Sequence, residues 1–285
     1  MPVELIKKFK NIIDIYLWDE MNDVLGKGAY AKVYCGLNQI TKEKHAVKHF
    51  NRSRPKCSIA KEIENEAEIM SKLNHRNIAE YVAAYGCGNE FYLVFKLYTG
   101  GELYDEIIRK RKYSENECKT IIKQVMDAVN YLHSNGIVHR DVKPENILYE
   151  TKECNSIIKL IDFGVSRLFK SDEPDTEFTT FIASKYYVAP EVLIKPILYT
   201  KLVDCWSVGI ITHVLLTGYP PYDGETVMDV YINIRNSKFM FIEKDWGECS
   251  SECLSFVSKL LKRNPHHRMS SAKAIKHKWF SLSQH

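Results

Sequence analysis

The sequence predicts an α+β protein of two lobes, a strand-rich first part and a helix-rich second part. The chain has 285 residues, enough for one large two-lobed unit or two domains of about 150 residues each. Short apolar runs broken by glycine fill most of the first ~95 residues, whereas apolar residues at helical spacing dominate the remainder. This change of hydrophobic period places strands and helices in different parts of the fold.

The first part begins with residues 3–16, whose apolar side chains follow a roughly helical period with lysines on the other side. We expect a helix there that either docks on the main domain or binds a membrane or partner. Residues 18–50 predict strands and a hairpin. Helical spacing returns over 59–73, and 91–97 predicts another strand.

The second part is predicted to be mainly helical. Gly100-Gly101 breaks the chain before a helix that begins near Leu103. The stretch 136–190 predicts short strands and loops, and it contains most of the unusual residues. The other predicted helices span residues 114–134, 204–217, 226–235, 251–262 and 271–280.

The composition excludes several classes of protein. Hydrophobic residues make up 45% and charged residues 27%, which excludes a disordered or collagen-like chain. The net charge of +4 is too small to indicate nucleic-acid binding, and the basic run 109–112 is typical of a solvated helix end. The longest apolar stretch, 208–216, is too short to span a bilayer. We therefore expect no nucleic-acid or membrane partner.

The cysteines indicate the compartment. The chain has eight, without a C-x-x-C pair, so reduced thiols in a cytosolic protein are favoured over a disulfide framework or a zinc site. The first residues also lack a basic-then-apolar signal pattern. We expect a monomer in the cytoplasm, with the nucleus as the alternative.

A glycine-containing turn lies between two strand-like runs at residues 26–33, GKGAYAKV. Gly26 and Gly28 would let backbone N–H groups approach phosphate oxygens, although the same pattern occurs in plain hairpins. Ala31 stands where a third glycine would be, and no Walker A sequence occurs in the chain. A dinucleotide-binding turn is disfavoured because a strand, not a helix, is predicted to follow.

Lys48 follows the apolar strand residues Ala46 and Val47. Its side chain faces either a cleft or solvent. If it is buried, it needs a carboxylate partner, because an unpaired charge is costly to desolvate. Glu66, in the helical pattern of residues 59–73, is the candidate.

The strongest signal is HRDVKPEN at residues 139–146, followed by Asp162-Phe163-Gly164 and then Ala189-Pro190-Glu191. On these motifs, in this order, the chain resembles the eukaryotic protein kinase family from about residue 19 to 280. The resemblance implies the bilobed α+β protein kinase fold, with a small antiparallel β-sheet lobe carrying one main helix and a larger, mainly helical lobe. The implied boundaries are a helical extension over 1–18, the catalytic domain over 19–280 (N-lobe 19–95, hinge 96–99, C-lobe 100–280) and a tail over 281–285.

The resemblance also implies a role for each catalytic residue. Asp141 would be the base that positions the substrate hydroxyl, and Lys143 would offset charge on the γ-phosphate. Ser184 replaces a threonine whose hydroxyl bridges these two side chains. Lys48 would hold the α- and β-phosphates, with Glu66 orienting it.

ATP and Mg²⁺, with Mn²⁺ as a substitute, are the implied cofactors. Asp162 and Asn146 would hold the metal through oxygen atoms. Phe95 would be the gatekeeper behind the adenine, and the backbones of Lys96 and Tyr98 would bond the purine edge. The other implied ATP-site residues are Leu25, Gly26, Gly28, Val33, Ala46, Lys48, Glu102, Glu145 and Leu148.

The lysine two positions after Asp141, Lys143, gives the chain a pattern similar to that of serine/threonine kinases, which transfer phosphate to protein substrates. The segments 98–108 and 186–192 resemble the calmodulin- and calcium-dependent kinases of plants and protozoan parasites. In that group Glu102 would bind the ribose and an arginine three residues before the phosphosite, so substrates with basic residues upstream are favoured. The alternative is that Glu102 is only a helix-start carboxylate. No EF-hand calcium loop occurs in the sequence.

Thr180, four residues before Ser184, stands where relatives carry an activating phosphothreonine. We expect an upstream kinase to phosphorylate it and the phosphate to pair with Arg140 and Arg167. The alternative is a loop ordered without phosphate by the acidic residues between 172 and 177.

Three residues are expected to have architectural roles. By resemblance, Asp204 would anchor the catalytic loop, and Glu191 would pair with Arg268.

The competing function is a catalytically impaired kinase-fold scaffold. Such proteins usually lose the lysine, the HRD aspartate or the DFG aspartate, and this chain retains all three.

Overall fold

The structure is a computed structural model, and it describes residues 6–8, 12–28, 31–51, 57–87, 90–168, 184–194 and 200–281. The chain divides into two compact units. The first comprises Met1–Thr99 with Asp162–Gly164, and the second comprises Gly100–Ile161 with Val165–His285. No helix of the described ranges is long and apolar enough to cross a membrane.

The first unit is a seven-stranded sheet with one described helix, α1 (Cys57–Ser71). The strand order is β1-β6-β7-β5-β4-β2, with β3 paired to β4. Every pairing is antiparallel except that of β1 with β6. The strands are β1 Ile6–Lys8, β2 Tyr16–Leu17, β3 Val24–Lys27, β4 Ala31–Asn38, β5 Lys44–Asn51, β6 Tyr81–Cys87 and β7 Glu90–Lys96.

Alternation along β5 decides which side chains face α1. Successive residues of a strand point to opposite faces, so Lys48 shares a face with Phe50, and Val47 lies on the other. Phe50 packs in one cluster with Ile63 and Ala67 of α1. The sheet therefore places Lys48 on the side where α1 lies.

The helix predicted over residues 3–16 is wrong. The described residues of that range instead form β1, a 3-10 turn at Ile12–Asp14 and the start of β2. In β1, Ile6 pairs with Ala84 of β6 in parallel, so the backbone of the sheet edge is hydrogen-bonded. The isoleucines that suggested a helical stripe are β-branched, which favours extended structure, and Ile12 is buried against the sheet.

The second unit is mainly helical. Its helices are α2 Leu103–Lys110, α3 Glu115–Ser134, α4 Leu202–Thr217, α5 Val227–Asn236, α6 Glu243–Trp246, α7 Ser251–Leu260 and α8 Ser271–Ala274. Its short strands are β8 Ile137–Val138, β9 Ile147–Tyr149, β10 Ile158–Leu160 and β11 Arg167–Leu168. The helix α4 is buried over almost its whole length, as its mainly apolar sequence predicts.

The helix predicted over 271–280 is only partly present. α8 ends at Ala274, and a separate 3-10 turn covers Lys278–Ser281. Between them, Nδ1 of His277 accepts a hydrogen bond from the backbone N–H of Trp279 (3.3 Å). The fully buried Trp279 ring is held by its indole N–H, which donates to Glu115 of α3 (2.7 Å). We infer that anchoring this ring interrupts the helix.

Candidate active site

In the first unit, Lys48 lies between two carboxylates. Its Nζ donates to Oε1 of Glu66 over 2.7 Å and to Oδ1 of Asp162 over 2.8 Å. Glu66 is buried and the lysine side chain is only 14% exposed, whereas that of Asp162 is 48% exposed. The predicted contact between Lys48 and Glu66 is therefore present, and Lys48 does not project into bulk solvent.

Burial opposes the charge on Lys48, but the carboxylates of Glu66 and Asp162 outweigh it and raise the pKa of the lysine above its usual value. Glu66 also accepts a hydrogen bond from the backbone N–H of Phe163. The ammonium group is thus held charged and oriented, as a group that binds phosphate requires.

Asp162 and Gly164 have unusual local surroundings beside this cluster. Asp162 has φ +61°, in the left-handed region that non-glycine residues seldom adopt. A Cβ on Gly164 would lie 3.3 Å from Oδ1 of Asp162 and 3.4 Å from Oε2 of Glu66. Glycine is favoured at 164 because a side chain there would force one of the two carboxylates to move by a few tenths of an ångström.

The residues predicted to line the adenine site in this unit lie on four neighbouring strands. Ala46 of β5 is the direct partner of Phe95 on β7, and Val33 of β4 is the partner of Lys48. The Phe95 ring contacts Tyr81 edge-on, with centroids 6.0 Å apart. Leu25 is half-exposed on β3.

The hinge and the glycine-containing turn are partly defined. The backbone N–H of Lys96 donates to the carbonyl of Glu80 (3.0 Å), and the hydroxyl of Tyr98 accepts from the N–H of Glu80 (2.9 Å). Gly26 lies in β3, and the N–H of Gly28 donates to the carbonyl of Ala31 (2.8 Å). The strand predicted after this turn is present as β4, but residues 29–30 lie outside the described residues.

In the second unit, three donors converge on the Asp141 carboxylate. The hydroxyl of Ser184 donates to Oδ1 (2.5 Å), Nζ of Lys143 to Oδ2 (2.6 Å) and Nδ2 of Asn146 to Oδ2 (3.0 Å). Lys143 also donates to the Ser184 hydroxyl (3.2 Å). The predicted bridge through residue 184 is therefore present with serine in place of threonine.

The backbone of the loop that carries Asp141 is held in place by Asp204 of α4. This buried carboxylate accepts from the backbone N–H groups of His139 and Arg140, each over 2.9 Å. It also contacts Nε2 of His133 (2.9 Å). Burial opposes its ionisation, but the hydrogen bond and charge of His133 lower the pKa of Asp204 overall. The predicted anchoring contact is present; the part of His133 was not predicted, because no motif includes that residue.

Two carboxylates of the second unit lie close enough to influence each other. Burial, together with the charges of Asp105 and Glu145, raises the pKa of Glu102. Oε2 of Glu145 is buried with no hydrogen-bond partner among the described residues. Glu102 begins α2 but makes no capping hydrogen bond with its side chain, and its backbone bridges to Leu148. The negative charge of these neighbouring carboxylates, one of which has a buried oxygen without a donor among the described residues, suits a positively charged ligand.

The donor chemistry of Asp162 and Asn146 fits magnesium. Both supply oxygen, the atom this ion prefers. The amide nitrogen of Asn146 donates to the backbone carbonyl (2.8 Å) and the carboxylate of Asp141, which fixes the orientation of the amide; of its two polar atoms, only the oxygen has lone pairs that could bind an ion. The two residues belong to different units.

The predicted phosphosite Thr180 lies outside the described residues, but both of its predicted partners lie within them. Nε of Arg140 donates to the carbonyl of Val165 (2.7 Å), and Arg167 donates to the carbonyl of Ser166 (2.8 Å). Arg140 has φ +69°. These arginines are thus placed in the second unit by backbone contacts that need no phosphate.

Comparison with known proteins agrees with the motifs. The protein kinase domain family matches residues 20–280. Myosin light chain kinase A of Dictyostelium discoideum is 38% identical over 260 residues, which cover 91% of this chain and 87% of that protein. The protein named Probable serine/threonine-protein kinase fhkC, from the same organism, is 37% identical over 266 residues, covering 92% of this chain and 44% of that protein. The chain therefore belongs to the protein kinase family, and it is an enzyme of the serine/threonine kinase type.

Proposed function

We propose that this enzyme transfers the γ-phosphoryl group of ATP to serine or threonine hydroxyls of protein substrates. The observation that supports it most is the set of three donors on Asp141, which holds one carboxylate oriented beside Lys143. A substrate hydroxyl bonded to Asp141 would attack the γ-phosphorus as the bond to the β–γ bridging oxygen breaks. ADP leaves, and the hydroxyl proton passes to Asp141.

The other residues of the proposed site neutralise and orient charge. Lys48, held by Glu66, would bind the α- and β-phosphates, and Lys143 would stabilise charge on the transferred group. Asp162 and Asn146 would hold Mg²⁺, which neutralises phosphate charge when bound. Little covalent assistance is needed, because positioning and electrostatic stabilisation account for most of the catalysis of phosphoryl transfer.

The test is transfer of phosphate from ATP to a serine- or threonine-containing peptide in the presence of Mg²⁺. We expect activity in the natural chain and a loss of at least about a hundredfold in Asp162→Asn and in Asp141→Asn. Asp162 is half-exposed, so its variant should fold, and circular dichroism checks this. Transfer no faster than that of Asp162→Asn would favour the scaffold function.

We further propose that preferred substrates carry basic residues before the phosphosite, as in the calmodulin- and calcium-dependent kinase group. The support is the resemblance of Glu102 and its surroundings, together with the unpartnered buried oxygen of Glu145. A guanidinium would satisfy both carboxylates with charge-assisted hydrogen bonds. An arginine scan across a peptide library tests this, with Glu102→Gln and Glu145→Gln as variants. Equal rates for peptides with and without arginine would contradict it.

Regulation by phosphate on Thr180 remains a proposal. An upstream kinase would add the phosphate, which Arg140 and Arg167 would bind. We expect Thr180→Ala to lower activity, whereas Thr180→Ser keeps an acceptor. Mass spectrometry before and after treatment with phosphatase links occupancy of the site to activity. Full activity in Thr180→Ala would contradict the proposal.

A further inference from the structure

A cluster of sulfur and carboxylate donors lies in the second unit, outside the residues of the proposed reaction. Cys249 and Cys253 stand on either side of Ser250, the N-cap of α7. Glu115 is the first residue of α3. One ligand atom from each of Glu115, Cys249 and Cys253 lies within 4.8 Å of the other two. Sulfur ligands at about 2.3 Å from a zinc ion stand a little under ~4 Å apart, so side-chain movements of up to about 1 Å would bring these three donors around one ion.

One side of the cluster is open to solvent and the other is buried. Cys249 and Glu115 are partly exposed, whereas Cys253 is fully buried. An ion can therefore enter from solvent and be held against the protein interior. Cys118, one turn after Glu115 on α3, is also buried, and its thiol contacts the carbonyl of Thr212 (3.8 Å). Cys118 is not one of the three donors.

The carboxylate of Glu115 is fixed by its own hydrogen bonds. It accepts from the backbone N–H of Ser250 (2.7 Å), from the hydroxyl of Ser250 (2.5 Å) and from the indole N–H of Trp279 (2.7 Å). The Ser250 hydroxyl in turn accepts from the N–H of Cys253 (3.1 Å). Carboxylates that ligate metals are commonly held in this way by outer hydrogen bonds. A carboxylate has about four lone-pair sites, so three donors leave one for an ion.

We propose that Glu115, Cys249 and Cys253 form a binding site for a thiophilic divalent cation, with zinc as the ion that this donor set selects. Two thiolates and one carboxylate offset the charge of the ion. A water molecule would complete the four ligands that zinc prefers. Ligation would join the start of α3 to the start of α7. A search for C-x-x-C pairs misses the site because the cysteines are four residues apart and the carboxylate is far away in sequence.

The test uses cobalt as a spectroscopic probe and zinc as the competing ion, on the full chain kept reduced by a phosphine. We expect one equivalent of cobalt to produce the sulfur-to-cobalt charge-transfer absorption of a thiolate site, and zinc to displace it. Cys249→Ser should lose this absorption and weaken zinc binding by at least about tenfold, measured against a chromophoric chelator. The matched control is Cys154→Ser, an exposed thiol, which should leave both measurements unchanged.

Two results would overturn the proposal. One is the absence of charge-transfer absorption in the natural chain. The other is an unchanged absorption and zinc affinity in Cys249→Ser, which would place the ion on other cysteines. Cys249 is partly exposed, so its variant should fold. Glu115→Gln serves as a second variant: it keeps a hydrogen-bonding oxygen for Trp279 but should weaken zinc binding, and equal affinity would also contradict the site.

Discussion

The hydroxyl of Ser184 donates to Oδ1 of Asp141 over 2.5 Å. Nζ of Lys143 donates to the other oxygen of the same carboxylate (2.6 Å) and to the Ser184 hydroxyl (3.2 Å). The three side chains therefore form a closed ring in which each fixes the others. Such a network holds the carboxylate in one orientation, and its members are strongly coupled.

Removing the Ser184 hydroxyl should lower catalysis without abolishing folding. Ser184→Ala frees one oxygen of Asp141 and loosens Lys143, so we expect kcat to fall about 10- to 100-fold, since small misplacements of reacting groups have effects of this size. KM for ATP should change little. Steady-state kinetics with ATP and peptide varied separately distinguishes the two parameters.

The matched control for this prediction is Ser184→Thr, which retains the hydroxyl and should retain most of the activity. A Thr variant as impaired as the Ala variant would show that the side chain at 184 acts by packing. An unchanged kcat in Ser184→Ala would show that Lys143 and Asn146 alone orient Asp141.

Gly164→Ala should disturb the Lys48 cluster. The added Cβ would be 3.3 Å from Oδ1 of Asp162 and 3.4 Å from Oε2 of Glu66, so one of the carboxylates must move by a few tenths of an ångström. We expect kcat/KM for ATP to fall about tenfold, while the free energy of unfolding changes by about 1 kcal/mol or less. Kinetics at varied ATP, together with urea unfolding, checks both parts. An unaltered kcat/KM would show that the cluster tolerates the shift.

Several contacts of the site were predictable from the sequence because each rests on a motif or on a charge that needs a partner. Burial of Lys48 demands a carboxylate, and Glu66 in the adjacent helical pattern provides it. The second carboxylate near that ammonium, Asp162, could not be predicted as a direct contact. It depends on a left-handed backbone at Asp162, and no local pattern specifies that conformation.

The fold was less predictable where long-range pairing competes with local periodicity. Residues 3–16 have a helical stripe, yet β1 pairs with the distant strand β6. Hydrogen bonding of a sheet edge is a tertiary effect that sequence periodicity does not detect. The helices over 115–134 and 202–217 were predictable because their apolar residues continue over several turns.

The stability of the fold should be sensitive even to the replacement of Arg268 by lysine. Its guanidinium is fully buried and forms two parallel bonds to Glu191, of 2.6 and 2.8 Å, and it also lies over the ring of Trp206. A single ammonium group cannot make two parallel bonds from two nitrogen atoms as the guanidinium does. We expect Arg268→Ala to lower the free energy of unfolding by about 3–5 kcal/mol and Arg268→Lys by about 2 kcal/mol.

Urea unfolding of Arg268→Ala, Glu191→Ala and the double variant checks the pairing directly. Each single variant leaves an uncompensated buried charge, so the double variant should cost less than the sum of the two. Additive costs would show that the two side chains stabilise the fold independently.

His213 should make stability depend on pH below neutrality. The ring is buried near Tyr219, Phe239 and Trp246, and its Nδ1 lies 2.9 Å from the carbonyl of Tyr219. Burial lowers the pKa of His213 from 6.5 to about 4, although the carbonyl of Tyr219 and the charge of Asp245 act in the opposite direction. At pH 7 the imidazole is mostly neutral in both the folded and the unfolded chain, so its burial costs little stability there.

In the unfolded chain His213 becomes protonated as the pH falls through 6.5. In the folded chain it becomes protonated only near pH 4. The stability of the folded state is therefore lost progressively over that window, by about 2 kcal/mol between pH 7 and pH 5 from this residue. His213→Gln keeps a polar side chain but cannot titrate. Urea unfolding of both proteins at a series of pH values should show a shallower decline for the variant. Parallel declines would mean that His213 binds its proton equally well in the folded protein, and that its burial does not exclude the charge.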